Sequence, residues 1–144
     1  MNKYYYDEHY FQQIDSEHKA YWLGFLYADG HIEPLRKGNK IKAYRIEIGL
    51  SAVDKSHLEL FLHDIDSNAP LTYKKTIIRD KTYESCRVRI NNTNMCRDLI
   101  SLGCVPQKSL TLTFPSEELL PGNYVRHFIR GYFDGDGCIS YTTR

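Results

Sequence analysis

The sequence predicts an α+β domain in which helices cover one face of a four-stranded antiparallel sheet. The apolar pattern takes the periods of a helix, two strands, a helix, two strands and a helix in turn, and each pair of strands is joined locally. Locally joined strands form antiparallel sheets, and a sheet must bury one face against another layer. With 144 residues, of which 42% are hydrophobic, the chain suits one domain with a modest core.

The first half begins with a polar, tyrosine-rich leader over residues 1–14, followed by a helix that Asp15 or Ser16 caps and that runs to about Ala28. A short strand near His31–Glu33 and the basic connector EPLRKGNK then lead into AYRIEIGLS. This segment alternates with the two-residue period of a half-buried strand. Its faces hold Tyr44, Ile46, Ile48 and Leu50 on one side and Arg45, Glu47 and Gly49 on the other.

The second half repeats the alternation of helix and strand pair. The segment DKSHLELFLHDID predicts a helix capped by Asp54 or Ser56, and LTYKKTIIRDKTYESCRVRI predicts two strands around a turn at Asp80–Lys81. A short helix in NTNMCRDLISLG ends at Gly103, and LTLTFP is predicted to be extended. The helix predicted before Asp134 then repeats the pattern of the first one. The residues assigned to cores and caps are Leu58, Phe61, Leu62, Ile65, Cys86, Val88, Ile90, Asn91, Asn92 and Asn94.

Composition and charge exclude several classes of protein. The net charge of +1 gives no overall basic character, so a nucleic-acid surface would require that the charges be segregated. The four cysteines are too few and too irregularly spaced for a disulfide scaffold or a CxxC metal site, and we predict that they are reduced and structural. The stretch MNKYYYDEHYFQQ lacks the apolar core of a signal peptide, and no apolar run reaches the roughly 20 residues of a membrane span. We therefore expect an intracellular protein, cytoplasmic or organellar.

Two predicted helices end on acidic residues. GFLYADG ends on Asp29, and GYFDGDG ends on Asp134 and Asp136. A carboxylate at a helix C-terminus opposes the helix dipole by about 0.3–1 kcal/mol. The repetition of this unfavourable arrangement indicates that a positive charge binds where the helices end. A single DG step would more simply indicate a turn into a hairpin.

Small residues recur four positions apart in both segments, as Gly24 and Ala28 and as Gly131 and Gly135. Such strips let two helices approach closely, so we expect these helices to pack side by side with adjacent C-terminal ends. Two carboxylates and nearby backbone carbonyls are hard oxygen ligands that suit Mg²⁺, with Ca²⁺ or Mn²⁺ as substitutes. We therefore predict that Asp29 and Asp136 are metal ligands in a site that acts on phosphodiesters.

WLGFLYADG (22–30) and IRGYFDGDG (129–137) resemble the two motifs of LAGLIDADG homing endonucleases. The order helix–strand–strand–helix–strand–strand–helix between them is similar to one half of that family's fold. The resemblance implies a saddle-shaped sheet over double-stranded DNA, with the last acid of each motif, Asp29 and Asp136, binding metal at the scissile phosphates. It also implies cleavage of both strands across the minor groove, as in enzymes of intron or phage mobile elements. Tyr27 stands where the first motif would have its first Asp.

The resemblance also predicts the organisation of the chain. Residues 15–120 correspond to a first repeat, and residues 121–144 correspond to the second motif helix and the start of a second repeat that is missing. Cleavage of both strands would then need a second repeat in cis or a dimer partner. The open alternatives are a DNA-binding protein that keeps the saddle without nuclease activity and an RNA maturase.

Basic residues on the predicted strands form the candidate DNA surface, and Lys40 and Lys42 in the connector before AYRIEIGLS could reach the DNA backbone. Arg reads guanine in the major groove, and Lys mostly contacts phosphates. Outward basic residues on a strand face are also common on solvated surfaces that bind nothing. The predicted DNA-binding residues are Lys40, Lys42, Arg45, Lys74, Lys75, Arg79, Arg87 and Arg89.

Overall fold

The structure is a computed structural model that describes residues 4–104 and 114–136. Within these residues it contains four α-helices and a four-stranded antiparallel sheet, as the sequence predicts. The elements in chain order are α1 (Glu17–Asp29), β1 (His31–Lys37), β2 (Lys40–Ser51), α2 (Lys55–Asp64), β3 (Thr72–Ile78), β4 (Lys81–Ile90), α3 (Thr93–Ser101) and α4 (Val125–Gly135). Short 3₁₀ turns at Ala52–Asp54 and Gly122–Tyr124 precede α2 and α4.

The sheet has the strand order β1-β2-β4-β3, and each neighbouring pair is antiparallel. In β2 and β4 one side is buried and the other is accessible, so the predicted alternation is confirmed. The helices α1, α2 and α3 all contact β2, and α2 also contacts β4. They therefore cover one face, which is called here the inner face, and leave the outer face open. The buried inner-face residues of these two strands are Ile46, Ile48, Cys86, Val88 and Ile90.

Local signals set most helix boundaries. The Ser16 hydroxyl caps α1 by accepting from the Lys19 N–H at 3.2 Å, and the Asn92 side chain caps α3 by accepting from the Met95 N–H at 2.9 Å. Gly103, with φ of 100°, follows the end of α3. Asp54 stands at the N-cap position of α2, as predicted, but its side chain makes no capping hydrogen bond. The chain instead enters α2 through the 3₁₀ turn.

The predicted connector EPLRKGNK is wrong, because most of it is strand. β1 extends to Lys37, and β2 begins at Lys40, so only two residues form the turn. Gly38 supplies the left-handed backbone of that turn, with φ of 64°. The turn between β3 and β4 is centred on Arg79 and Asp80, one residue earlier than predicted, and both have positive φ. These strand ends are rich in basic residues and show no apolar alternation, so the sequence pattern did not predict them as strand.

The segment before α1 belongs to the core and is not a solvated leader. Phe11 is fully buried, and Tyr10 and Ile14 are nearly so. The Asp7 N–H donates to the Ile65 carbonyl at 2.8 Å, which ties the segment to the end of α2. The polar residues around these three apolar ones masked them in the sequence. Most of the predicted extended segment LTLTFP, over 110–113, and Cys138 lie outside the described residues, whereas Cys86, Cys96 and Cys104 are buried.

Candidate functional site

Helices α1 and α4 pack with their backbones in direct contact. A Cβ atom added to Gly24 would lie 2.0 Å from the carbonyl oxygen of Phe128, and one added to Gly131 would lie 1.8 Å from that of Tyr21. Contacts this short leave no room for any side chain, so both positions require glycine. The predicted small-residue strips therefore face each other.

The two helices run in the same direction. A Cβ added to Gly131 would meet Tyr21, whereas one added to Gly135 would lie 2.8 Å from the Cβ of Ala28. Residue numbers therefore increase in the same direction along both helices. Asp29 follows Ala28 directly, and Asp136 follows Gly135 directly. Both acids thus stand at the same end of the helix pair, immediately beyond its last contact. Asp29 is half-buried and Asp136 is exposed.

The chemistry of this end suits a hard divalent cation. Two carboxylates stand beside two helix C-termini, each of which carries partial negative charge and carbonyl groups without intrahelical partners. Among the described residues no cluster of three or more His, Cys, Asp and Glu side chains is arranged as a metal site. A cation here would therefore take its remaining ligands from backbone carbonyls, water or a phosphate, which is the usual pattern for Mg²⁺.

A polar cluster that the sequence did not reveal lies beside the helix pair. The Tyr21 hydroxyl donates to Asp134 Oδ2 at 2.5 Å and lies 3.0 Å from His57 Nε2. These three side chains come from α1, α4 and α2, so only the tertiary fold brings them together. The pKa of His57 is lowered by burial, against the opposing charges of Asp134 and Asp54. Burial therefore favours the neutral imidazole form of His57.

Tyr27, which stands where the first motif would have its first Asp, has a structural role. Its hydroxyl donates to the Leu102 carbonyl at 2.6 Å, and its ring packs edge-on against Phe128 at 4.9 Å. Burial raises the pKa of Tyr27. The residue therefore ties α1 to the end of α3 and to α4.

The predicted arginines on the outer face of the sheet are paired with acids on the same face. Arg87 and Arg89 both contact Glu47, at 3.2 Å and 2.7 Å, and Arg45 pairs with Glu33. The hydrogen bond from Arg89 is the main cause that lowers the pKa of Glu47. An incoming phosphate would have to compete with these carboxylates.

The predicted lysines divide between the two faces. Lys74 is opposite Ser85 and has the parity of the outer face, whereas Lys75 is opposite Glu84 and has the parity of the inner face. Lys42 has the parity of the inner-face residues Ile46 and Ile48, and it lines a cleft of about 360 Å³ with Arg97 and Ile100 of α3. Lys75 and Lys42 therefore do not belong to an outer-face surface, which is a correction of the sequence-based set.

Two other basic residues of that set also change position. Lys40 pairs with Lys37 beside the β1–β2 turn, and Arg79 lies in the β3–β4 turn and not within a strand. Both are exposed at hairpin ends. The accessible basic residues are thus spread along the outer face and its rims.

No protein-family model matches the chain, and no curated protein matches it. The resemblance of the two motifs to those of LAGLIDADG proteins therefore stays a prediction from the sequence. None of the helices within residues 4–104 and 114–136 combines the length and the apolar character needed to cross a bilayer.

Proposed function

We propose that this protein is a divalent-metal-dependent, site-specific DNA endonuclease of the LAGLIDADG type. The observation that carries the proposal is the parallel pair of α1 and α4, which pack through Gly24 and Gly131 and end side by side on Asp29 and Asp136. Acid-ended helices that pack this closely concentrate negative charge, and a bound cation removes the repulsion.

Asp29 and Asp136 would hold Mg²⁺, with Ca²⁺ or Mn²⁺ as substitutes. When bound, the metal supplies an activated water and stabilises the charge that develops at phosphorus. The two acids come from different helices, so the helix contact fixes how close the two helix ends that carry them lie. Their role is ligation and not proton transfer.

The outer face of the sheet would bind the DNA duplex. None of the helices within residues 4–104 and 114–136 covers it, and its basic residues include Arg45, Lys74, Arg87 and Arg89. Because three of these are arginines paired with acids, DNA binding would exchange Glu33 and Glu47 for phosphates or base edges. Such an exchange favours DNA sequences whose phosphates and base edges bind the arginines as strongly as the two carboxylates do.

Cleavage of both strands would require a second sheet across the helix pair. We propose a second LAGLIDADG repeat in cis, or a dimer partner, beyond α4. The outward residues Ile129, Tyr132 and Phe133 of α4 are exposed large apolar or aromatic side chains, which supports a partner on that side.

The metal site can be tested with Mn²⁺ alone. We expect the 144-residue chain to bind Mn²⁺, measured by electron paramagnetic resonance, and Asp29→Asn or Asp136→Asn to weaken binding by at least about tenfold. Asp66→Asn is the matched control, because it makes the same charge change at an exposed position with φ of 55°, which Asn tolerates.

The same variants separate cleavage from DNA binding. In a screen of a randomised duplex library with Mg²⁺, Asp29→Asn should abolish cleavage and leave DNA affinity unchanged or higher, because it removes negative charge near phosphates. Equal Mn²⁺ affinity in the wild type and in the Asp29→Asn, Asp136→Asn and Asp66→Asn variants would contradict the metal site. Metal-independent DNA binding without cleavage would favour the non-cleaving DNA-binding protein, and preference for structured RNA would favour a maturase.

A further inference from the structure

A three-helix hydrogen-bonded cluster, formed by Tyr21, His57 and Asp134, lies beside the candidate metal site. Tyr21 belongs to α1, His57 to α2 and Asp134 to α4. The Tyr21 hydroxyl oxygen is the shared atom, at 2.5 Å from Asp134 Oδ2 and 3.0 Å from His57 Nε2. One hydroxyl group thus connects α4 to the body of the domain.

The hydrogens of this cluster can be assigned by counting donors. The single hydroxyl hydrogen of Tyr21 is donated to Asp134. The tyrosine oxygen can then only accept from His57, so His57 Nε2 must carry a hydrogen. The bonds therefore run in one direction, from His57 through Tyr21 to Asp134.

The cluster acts on the part of α4 that carries Asp136. The carbonyl of Tyr21 is the atom that a Cβ at Gly131 would strike, so Tyr21 contacts α4 through its backbone as well as its side chain. Asp134 lies one turn beyond Gly131 and two residues before Asp136. The glycine contact sets the distance between the helices, but a smooth contact allows rotation, and the bond to Asp134 opposes rotation of α4 about its own axis.

We infer that the Tyr21 hydroxyl, held by His57, is a positioning group that fixes the C-terminal turn of α4 and thereby the direction of Asp136. This inference deepens the proposed function and rests on it for the role of Asp136. Tyr21 and His57 act through Asp134 and are positioning residues.

Tyr21→Phe isolates the hydroxyl group. The ring contacts with Trp22 at 4.9 Å and with the Arg130 guanidinium at 4.4 Å do not depend on the hydroxyl and are kept in the variant. Tyr27→Phe is the matched control, because it removes a buried hydroxyl bond from the same helix, and the lost partner is Leu102, outside α4. Both variants lose a hydrogen bond of α1, but only Tyr21→Phe loses the link to α4.

The first readout is amide hydrogen exchange of the last turn of α4, residues 132–135, in the whole chain. Tyr21→Phe should raise these exchange rates by about tenfold relative to Tyr27→Phe, because loss of a hydrogen bond that holds a helix end increases local opening. His57→Gln keeps an N–H donor and should stay within about twofold of the wild type, whereas His57→Leu should follow Tyr21→Phe. Equal exchange in the Tyr21→Phe and Tyr27→Phe variants would overturn the inference.

The second readout is Mn²⁺ affinity, which should fall by about tenfold in Tyr21→Phe and by less than about twofold in Tyr27→Phe. Unchanged affinity in Tyr21→Phe, together with fast exchange in the last turn, would overturn the link to Asp136. If the wild type binds no Mn²⁺, the proposed function fails. The exchange rates still decide whether Tyr21 fixes the end of α4, so the two failures can be distinguished.

Discussion

The α1–α4 contact and the outer face of the sheet are built in opposite ways. In the helix pair, backbone meets backbone at Gly24 and Gly131, and no side chain fits between. On the outer face, long side chains such as Arg87 and Arg89 share Glu47, and every residue of β3 is exposed. The helix contact is consequently rigid, whereas the ion pairs of the sheet face can exchange partners.

The difference shows how a protein can combine a fixed site with an adaptable surface. The proposed cation site needs two carboxylates at a constant spacing, and the backbone contact holds the two helix ends that carry them at a fixed distance. A surface that meets a duplex must release its own ion pairs to form new ones, and solvent-exposed pairs are weak enough to allow this. The tests below perturb the helix contact first and the sheet face afterwards.

The largest expected effect comes from Gly131→Ala. The added methyl would lie 1.8 Å from the Tyr21 carbonyl oxygen, and backbone cannot yield as a side chain does. We expect the free energy of unfolding to fall by about 3 kcal/mol, the upper range for overpacking. Urea titration followed by the fluorescence of the buried Trp22 measures it.

Gly122→Ala is the control for that experiment. A Cβ at Gly122 meets nothing within 4 Å, so its effect should stay within about 0.5 kcal/mol. If Gly131→Ala were as stable as Gly122→Ala, the helices would not be packed as described.

An intermediate effect is expected from neighbouring lysines on β3. Lys74 has outer-face parity and Lys75 inner-face parity, so Lys74→Ala should weaken duplex binding and reduce its salt dependence by about one released counterion. Lys75→Ala makes the same charge change one residue away and should leave both quantities nearly unchanged. Fluorescence anisotropy over a salt series measures them. Equal losses in both variants would indicate a general charge effect and not a DNA-binding face.

The smallest expected effect is the acid sensitivity of the Glu47 ion pairs. The hydrogen bond from Arg89, together with the charges of Arg89, Arg87 and Arg45, lowers the pKa of Glu47 below its ordinary value of 4.5, although burial acts in the other direction. Because the pKa is lower in the folded state, this stabilisation is present above pH 4.5 and is lost as the pH falls through the folded-state pKa. Between pH 6 and 3 the wild type should lose about 0.2–1 kcal/mol more stability than Glu47→Gln.

Urea midpoints at several pH values provide that comparison. The partly exposed arginines limit the effect to the range of surface ion pairs. A loss of stability in Glu47→Gln that equals or exceeds that of the wild type would show that Glu47 is not stabilised by the arginines.

The sequence by itself determined the order of helices and strands, the inner face of β2 and β4, and the small residues of the helix contact. These features follow from local periods, since a period of two residues places Ile46 and Ile48 on one face wherever the strand lies. The spacing of Gly24 and Ala28 likewise specifies a smooth helix face before its partner is known. Strand ends rich in Lys and Arg were missed because polar residues carry no such period.

Only the tertiary structure decided which residues meet across the chain. The cluster of Tyr21, His57 and Asp134 joins three helices that are remote in sequence, and no local pattern marks its members. The partners of Arg87 and Arg89, and the choice of Lys74 and not Lys75 for the outer face, likewise depend on strand register. A register shift of one residue exchanges the two faces of a strand, so the composition of a surface is fixed only when the strands have paired.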